Sequence, residues 1–226
     1  MIDITFSGNP DAIICLNSTL PSIEILEQFA AIPIIAADGA ANKLLDINVI
    51  PNFIVGDLDS FNSEKYSNLI PQSHIIHLPE QDTNDFEKNI VFAKSRNWQK
   101  LLIFGIHGGE LEHTLNNWSI IRKFTNQIQL LIYDIGRYSF PIAKGSYKIH
   151  ANKDEIISLI PQCSCKLSTK GLKWELNNEI LEIGSREGAR NRAIEDKFII
   201  NIEDGQLLVS IESRLPYFLN MKKIDN

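Results

Sequence analysis

The sequence predicts an α/β fold: an N-terminal open parallel sheet flanked by helices, followed by a C-terminal antiparallel β-sandwich. Three observations carry this expectation. Up to residue 135, apolar runs alternate with helix-patterned segments. Those runs are continuous rather than alternating, which is how parallel strands buried on both faces read. From residue 136 onward the segments become strand-like, with turn residues between them, as in a small antiparallel sandwich or barrel. The expected division is therefore 1–135 and 136–226.

The elements follow in order. "AIICLN" is a short strand, and Ile23, Leu26, Glu27 and Ala30 mark a helix. "PIIAAD" ends a strand at Asp38, and "GAANKLLD" reads as helix. "NFIVGD" ends at Asp57; "SEKYSNLI" is helical and "HIIHL" extended. "NDFEKNIVFAKSRN" sets Phe86, Ile90 and Ala93 on one helical face. "KLLIFGI" is a strand, "EHTLNNWSIIRKFTN" a helix, and "IQLLIYD" a strand ending at Asp134. Beyond it, "RYSFPIAKGSYKIH", "EIISLIPQ", "CKLSTK", "LKWEL", "FIINIED" and "QLLVSIES" read as strands. Gly145, Asn177-Asn178, Gly184, Gly188 and Asp204-Gly205 supply the turn signals. Alternating β and α units imply a parallel sheet covered by helices.

A net charge of −6 with no Lys/Arg-rich run argues against a nucleic-acid partner, which needs a basic face. Cys15, Cys163 and Cys165 show no metal-ligand spacing, and Cys163-Ser164-Cys165 is too tight for an ordinary disulfide. They read as reduced thiols of a cytoplasmic protein. "MIDITFSGNPDAIICLN" lacks the basic and apolar regions of a signal peptide, and no apolar run approaches the ~18–20 residues of a membrane span.

The chemistry is expected at strand ends. In open parallel sheets ligands bind beyond the carboxyl ends of the strands. Asp38, Asp57, Asp59, Asp82, Asp85 and Asp134 all fall there. Singly, Asp is a common loop residue and helix cap. Together, hard oxygen donors suit Mg²⁺, which takes one or two carboxylates and completes its shell with water and phosphate. "VGDLDS" is the sharpest case: two carboxylates one residue apart repel unless a cation lies between them. No G-x-x-x-x-G-K-[ST] occurs. The glycines of "FGIHGGE" can still bring backbone N–H groups to a phosphate, with His107 and His113 on either side. Trp174, between Lys173 and Glu175, is either a core residue or an aromatic face for a flat or cationic ligand.

"AADGAANKLLD", "PNFIVGDLDSF", "QDTNDFEKNI", "GGELEHTLNNW", "SLIP" and "GLKWELNN" occur in an order that resembles the thiamine pyrophosphokinase family, over roughly residues 35 to 210. The resemblance implies an α/β nucleotide- and metal-binding catalytic domain and a β-sandwich for thiamine and dimerisation. It implies transfer of the pyrophosphoryl group of ATP to the thiamine hydroxyl, giving thiamine diphosphate and AMP. Asp57, Asp59 and Asp85 would be catalytic and hold Mg²⁺ with the triphosphate, Asp59 or Asp85 acting on the hydroxyl proton. Asp38, Gln81, Thr83, Gly108, Gly109, Glu112 and His113 would lie on the ATP side. Trp174 would stack on thiamine at a homodimer interface, near Asn191.

Three positions depart from the family pattern. Where the family has Gly-Gly-Arg-x-Asp-His, this chain has Gly108-Gly109-Glu110-Leu111-Glu112-His113, and a Ser-Asn pair reads Arg190-Asn191. A carboxylate repels a triphosphate, so Glu110 is expected to turn away, with Lys43, Lys88 or Arg122 supplying positive charge, the alternative being that it recruits an additional Mg²⁺. Other readings are a pyrophosphokinase for a hydroxymethylpterin, a thiamine-binding protein without catalysis, and a haloacid-dehalogenase-type phosphatase. The last expects its D-x-D on the first strand, whereas strands precede Asp57 here.

Overall fold

The computed structural model describes residues 1–66 and 68–224. Contacts divide it into two compact units, residues 10–120 and residues 1–9 with 121–226. The change in patterning at 135/136 follows strand type. The contact boundary follows pairing: β1 (Ile2–Phe6) runs parallel to β8 (Arg137–His150), and β7 (Gln129–Asp134) pairs antiparallel with β8.

In the first unit, β2 (Ala12–Cys15), β3 (Ile34–Ala37), β4 (Phe53–Gly56), β5 (Ile75–His77) and β6 (Lys100–Phe104) form a parallel sheet in the order β6-β2-β3-β4-β5. Every residue of β2, β3 and β4 is buried, as their unbroken apolar runs require. Parallel neighbours need crossover connections. These include α1 (Ile23–Glu27), α2 (Ala40–Asp46), α3 (Ser63–Tyr66) and α4 (Asp85–Ser95); α5 (Leu111–Phe124) follows β6. The helix expected over "SEKYSNLI" covers only Ser63–Tyr66, and Ser67 lies outside the described residues. α4 buries Phe86, Ile90 and Ala93, the face its periodicity predicts, and packs on β4 and β3. Asn84 caps it, its side chain accepting the Glu87 N–H at 2.9 Å. β3, β4 and β5 lie on one side of β2 and β6 on the other. The strand order therefore reverses beside β2, and a crevice at such a switch point is where open α/β sheets bind ligands.

The second unit is antiparallel apart from β1. Its order is β10 (Glu179–Glu182), β9 (Ile156–Lys170), β12 (Lys197–Glu212), β8, β7. β11 (Gly188–Arg192) also pairs with β9, and β13 (Leu219–Lys223) with β1. Tyr138, Phe140 and Ile142 of β8, Leu159 of β9 and Leu207, Val209 and Ile211 of β12 are buried, each burial contributing about 1.5–3 kcal/mol.

Two expectations for this half are corrected. The turn read at Asp204-Gly205 is a bulge inside one long strand, β12, where the register shifts between Ile202 and Gln206. Gly205 has φ +91, and a Cβ there would lie 2.3 Å from the Ser164 carbonyl oxygen, so the bulge needs glycine. "LKWEL" forms no strand: only Leu172 makes a bridge, to Ala193. The chain leaves β9 through Gly171 (φ +86), whose N–H is bound by the Glu175 carboxylate at 2.8 Å, and the segment stands as a loop. Among the described residues no helix is long and apolar enough to cross a membrane, which leaves β-barrels aside.

Candidate active site

The carboxyl ends of β2, β3, β4 and β6 and the first turns of α4 and α5 surround a cavity of about 500 Å³. Asp38 directly follows β3 with φ 43, a left-handed conformation that Asp tolerates better than most residues. It is 2% exposed. Its two oxygens accept the Ser60 N–H at 3.0 Å and the Phe61 N–H at 3.1 Å, clamping the loop after β4. Burial pushes its carboxyl up to about 6, against the Ser60 hydrogen bond, and Asp59 and Asp85 add to the rise.

That loop is the D-x-D stretch. Leu58 has φ 65, so the chain turns sharply and both flanking carboxylates face the cavity. Gln81 Nε2 donates to Asp57 Oδ2 at 2.8 Å, which holds the Asp57 carboxyl below its usual range. The Ser60 hydroxyl donates to Asp59 Oδ1 at 2.9 Å. One oxygen each from Asp38, Asp57 and Asp59 lies within 4.8 Å of the others, a hard, anionic donor set that fits a small divalent cation.

Asp85 enters from the first turn of α4, and burial raises its carboxyl above the usual range while Lys88 pulls it back. The Lys88 ammonium, almost wholly buried, lies 3.6 Å from Asp85 and 4.0 Å from Asp57. Gly56 makes this crowding feasible: a Cβ there would stand 2.8 Å from Asp38 Cβ and 3.1 Å from Asp85 Oδ1. The site thus joins a carboxylate trio, a fourth carboxylate with raised proton affinity, and one buried cation.

Of the expected residues, Asp38, Asp57, Asp59, Gln81, Thr83, Asp85, Gly109 and His113 line the cavity. Gly108 and Glu112 do not line it. Gly108 packs on the loop after β2, where a Cβ would meet Thr19 Oγ1 at 2.2 Å, and Glu112 is exposed. Asp82 is exposed outside the cavity, and Asp134 ends β7 in the other unit. Glu110 does line the cavity, and its Oε2 lies 3.3 Å from His113 Nε2. Of the cations proposed for phosphate, Lys88 is in the wall. Lys43 donates to the Ser18 carbonyl at 2.9 Å, and Arg122, in the other unit, to Cys163 Sγ at 2.8 Å. Sequence reasoning missed Asn17, Ser18, Ser60, Thr114 and Asn117, which also line the wall. Asn17 and Ser18 follow β2, so the strand-end rule that singled out the aspartates would have found them.

In the second unit Trp174 is 56% exposed, which excludes the core reading. Asn191, 6% exposed, accepts the Trp174 N–H at 3.1 Å and donates to the Trp174 carbonyl at 2.7 Å, so the loop is held by a buried amide. Together they border a cavity of about 160 Å³ with Leu159, Leu176 and Leu181. The Lys173 ammonium lies 4.8 Å from the Trp174 ring centroid. Arg190, with φ 59, donates its N–H to Ser158 Oγ at 3.1 Å.

Two family models match this chain. "Thiamin pyrophosphokinase, catalytic domain" matches residues 28–132, and "Thiamin pyrophosphokinase, vitamin B1 binding domain" matches residues 146–207. Thiamine pyrophosphokinase 1 of Oryza sativa subsp. japonica is 28% identical, over 90% of this chain and 87% of the rice protein. Thiamine pyrophosphokinase of Bacillus subtilis is 26% identical, over 77% of this chain and 85% of that protein. The fold is similar to crystal structures of the Bacillus subtilis enzyme (TM-score 0.74, 24% identity, 90% of this chain and 100% of that one) and the yeast enzyme (TM-score 0.76, 20% identity, 90% and 86%).

Proposed function

This chain belongs to the thiamine pyrophosphokinase family, and from that premise we propose that it transfers the pyrophosphoryl group of ATP to the hydroxyl of thiamine in a Mg²⁺-dependent reaction. The observation that carries the reading is the convergence of Asp38, Asp57, Asp59, Asp85 and Lys88 on one cavity at the sheet's switch point. Asp38, Asp57 and Asp59 would hold Mg²⁺, Asp38 taking the ligand place expected of Asp85, which lies beside the Lys88 ammonium instead; the ion, when bound, neutralises phosphate oxygens. The thiamine hydroxyl oxygen bonds to the β-phosphorus, and the bond from that phosphorus to the α–β bridging oxygen breaks, releasing AMP. The hydroxyl proton passes to a carboxylate. Asp85 suits this step because burial raises its affinity for a proton. Lys88 offsets negative charge beside Asp57 and Asp85. The remainder of the rate enhancement is positioning.

Trp174 offers its ring to the thiazolium cation. Ile180 and Ile183, both exposed in the same unit, accord with a homodimer. The unpaired cysteines accord with a cytoplasmic setting. Incubation with thiamine, ATP and Mg²⁺ tests the reading. Release of AMP supports it, whereas release of inorganic phosphate points to a phosphatase and turnover only with a hydroxymethylpterin to the other pyrophosphokinase.

Two expected results follow from the geometry. Trp174→Phe is expected to raise the KM for thiamine several-fold and leave that for ATP unchanged, since stacking on a cation is worth about 0.5–2 kcal/mol. A fall in melting temperature with unchanged thiamine affinity would return Trp174 to a structural role.

The second concerns pH. Asp38 has a folded-state pKa of about 6, above its unfolded value, so the fold keeps this proton until the pH passes about 6. In the cation-free protein the stabilisation from that proton is complete below the unfolded value and is lost as pH rises through about 6. A divalent cation competes with the same proton, so Mg²⁺ binding is expected to be about tenfold weaker at pH 5 than at pH 7.5. Calorimetric titration at both pH values measures this, and equal affinities would exclude Asp38 as a ligand.

A further inference from the structure

Asn89 lies on α4, wholly buried, one residue past Lys88 and one turn past Asp85. Its amide nitrogen donates to the Val55 carbonyl of β4 at 3.0 Å and to the Asp85 carbonyl at 2.7 Å. It thus ties the helix turn carrying Asp85 and Lys88 to the strand end that leads through Gly56 into Asp57. Neither carbonyl needs it for satisfaction. The Val55 oxygen also accepts the Asp38 N–H at 3.1 Å, and the Asp85 oxygen lies inside the helix span, one turn before the backbone N–H of Asn89, its i→i−4 partner. The amide oxygen of Asn89, meanwhile, is buried with no partner among the described residues. A buried orphan acceptor is a standing cost. A side chain that carries such a cost while making two dispensable bonds is poorly explained by stability.

Resting on the reaction proposed above, we propose that Asn89 is a positioning residue: it fixes the spacing of Asp85 and Lys88 from Asp57 and so preorganises the cation and triphosphate subsite. The junction is tight, since even a Cβ on Gly56 would stand 3.1 Å from Asp85 Oδ1. A small retreat of α4 from β4 opens the distances on which charge neutralisation depends, and misplacement by about an ångström costs on the order of 100-fold in rate.

The test uses Asn89→Leu, close in shape and apolar, and Asn89→Ala, smaller, in the full chain. Three quantities are read: melting temperature, calorimetric affinity for MgATP without thiamine, and kcat with the KM for thiamine. The expected result is a melting temperature equal to wild type or higher for at least one variant, MgATP affinity down several-fold, kcat down at least tenfold, and an unchanged KM for thiamine. MgATP affinity and kcat within twofold of wild type would overturn the proposal. So would a large fall in melting temperature with unchanged affinity and kcat per folded molecule, which makes Asn89 structural. If wild type releases no AMP, the proposed reaction fails, and the MgATP calorimetry still decides the role of Asn89.

Discussion

Asp57→Asn and Asp59→Asn are each expected to lower turnover at limiting Mg²⁺ by at least ~100-fold, the scale of losing a main electrostatic contributor at a transition state. Both substitutions keep size and shape. The amide introduced by Asp57→Asn still presents an oxygen to Gln81 Nε2, which lies 2.8 Å from Asp57 Oδ2. The amide introduced by Asp59→Asn presents one to the Ser60 hydroxyl, so these two side-chain bonds are kept, and Asp57→Asn gives up only the long Asp59 N–H contact at 3.5 Å. What disappears is one negative donor from a trio whose oxygens lie within 4.8 Å of one another. Lys88, 4.0 Å from Asp57, then meets less compensating charge, which further weakens the pull on a divalent cation. Asp82→Asn is the matched control, because Asp82 is exposed and outside the cavity wall. Initial rates of AMP release across a Mg²⁺ series decide the matter. Near-normal turnover of both variants at low Mg²⁺ would reject the metal role.

The parallel half was legible because burial on both faces leaves only apolar residues in β2, β3 and β4. The same logic located Asp38, Asp57 and Asp85, since a residue just past such a strand or opening the next helix must face the crevice. β1 was not legible. "IDITF" is short, and its place between β8 and β13 depends on pairing with residues more than a hundred positions away. In the antiparallel half local turn signals misled, because glycine serves a bulge as well as a turn, and Gly205 serves the bulge. Trp174 was placed on a strand by its alternating neighbours. The buried Asn191, which holds the loop by its backbone, has no local signature. The burial of Lys88 was likewise invisible: its sequence neighbours are those of an ordinary helix lysine, and only the packing of α4 on β4 encloses it between two carboxylates.

The largest expected loss of stability lies far from this chemistry in sequence, at Glu155, whose side chain is fully buried. Its carboxylate pairs with the Arg214 guanidinium and accepts the N–H groups of Asn152 and Glu212, each at 2.7 Å. Arg137, half-buried beside it, donates to the Ile156 and Ser210 carbonyls at 2.9 and 3.0 Å, and Glu155 is its first electrostatic support against a burial that lowers its pKa. One acid therefore holds together the start of β9, the end of β12 and the chain beyond it. Glu155→Ala removes the acid and leaves two guanidinium groups and two backbone donors without it. Breaking a buried pair from one side costs about 3–5 kcal/mol, and for a chain of this size each kcal/mol lowers the melting temperature by about 2–4 °C. A fall on the order of 10 °C is expected by calorimetry. The double variant Glu155→Leu with Arg214→Met should recover part of it, because it removes one of the two guanidinium groups left without the acid, while Arg137 and the Asn152 and Glu212 N–H groups remain. A single-variant shift below about 3 °C would mean that the carboxylate does not hold this end of the sheet.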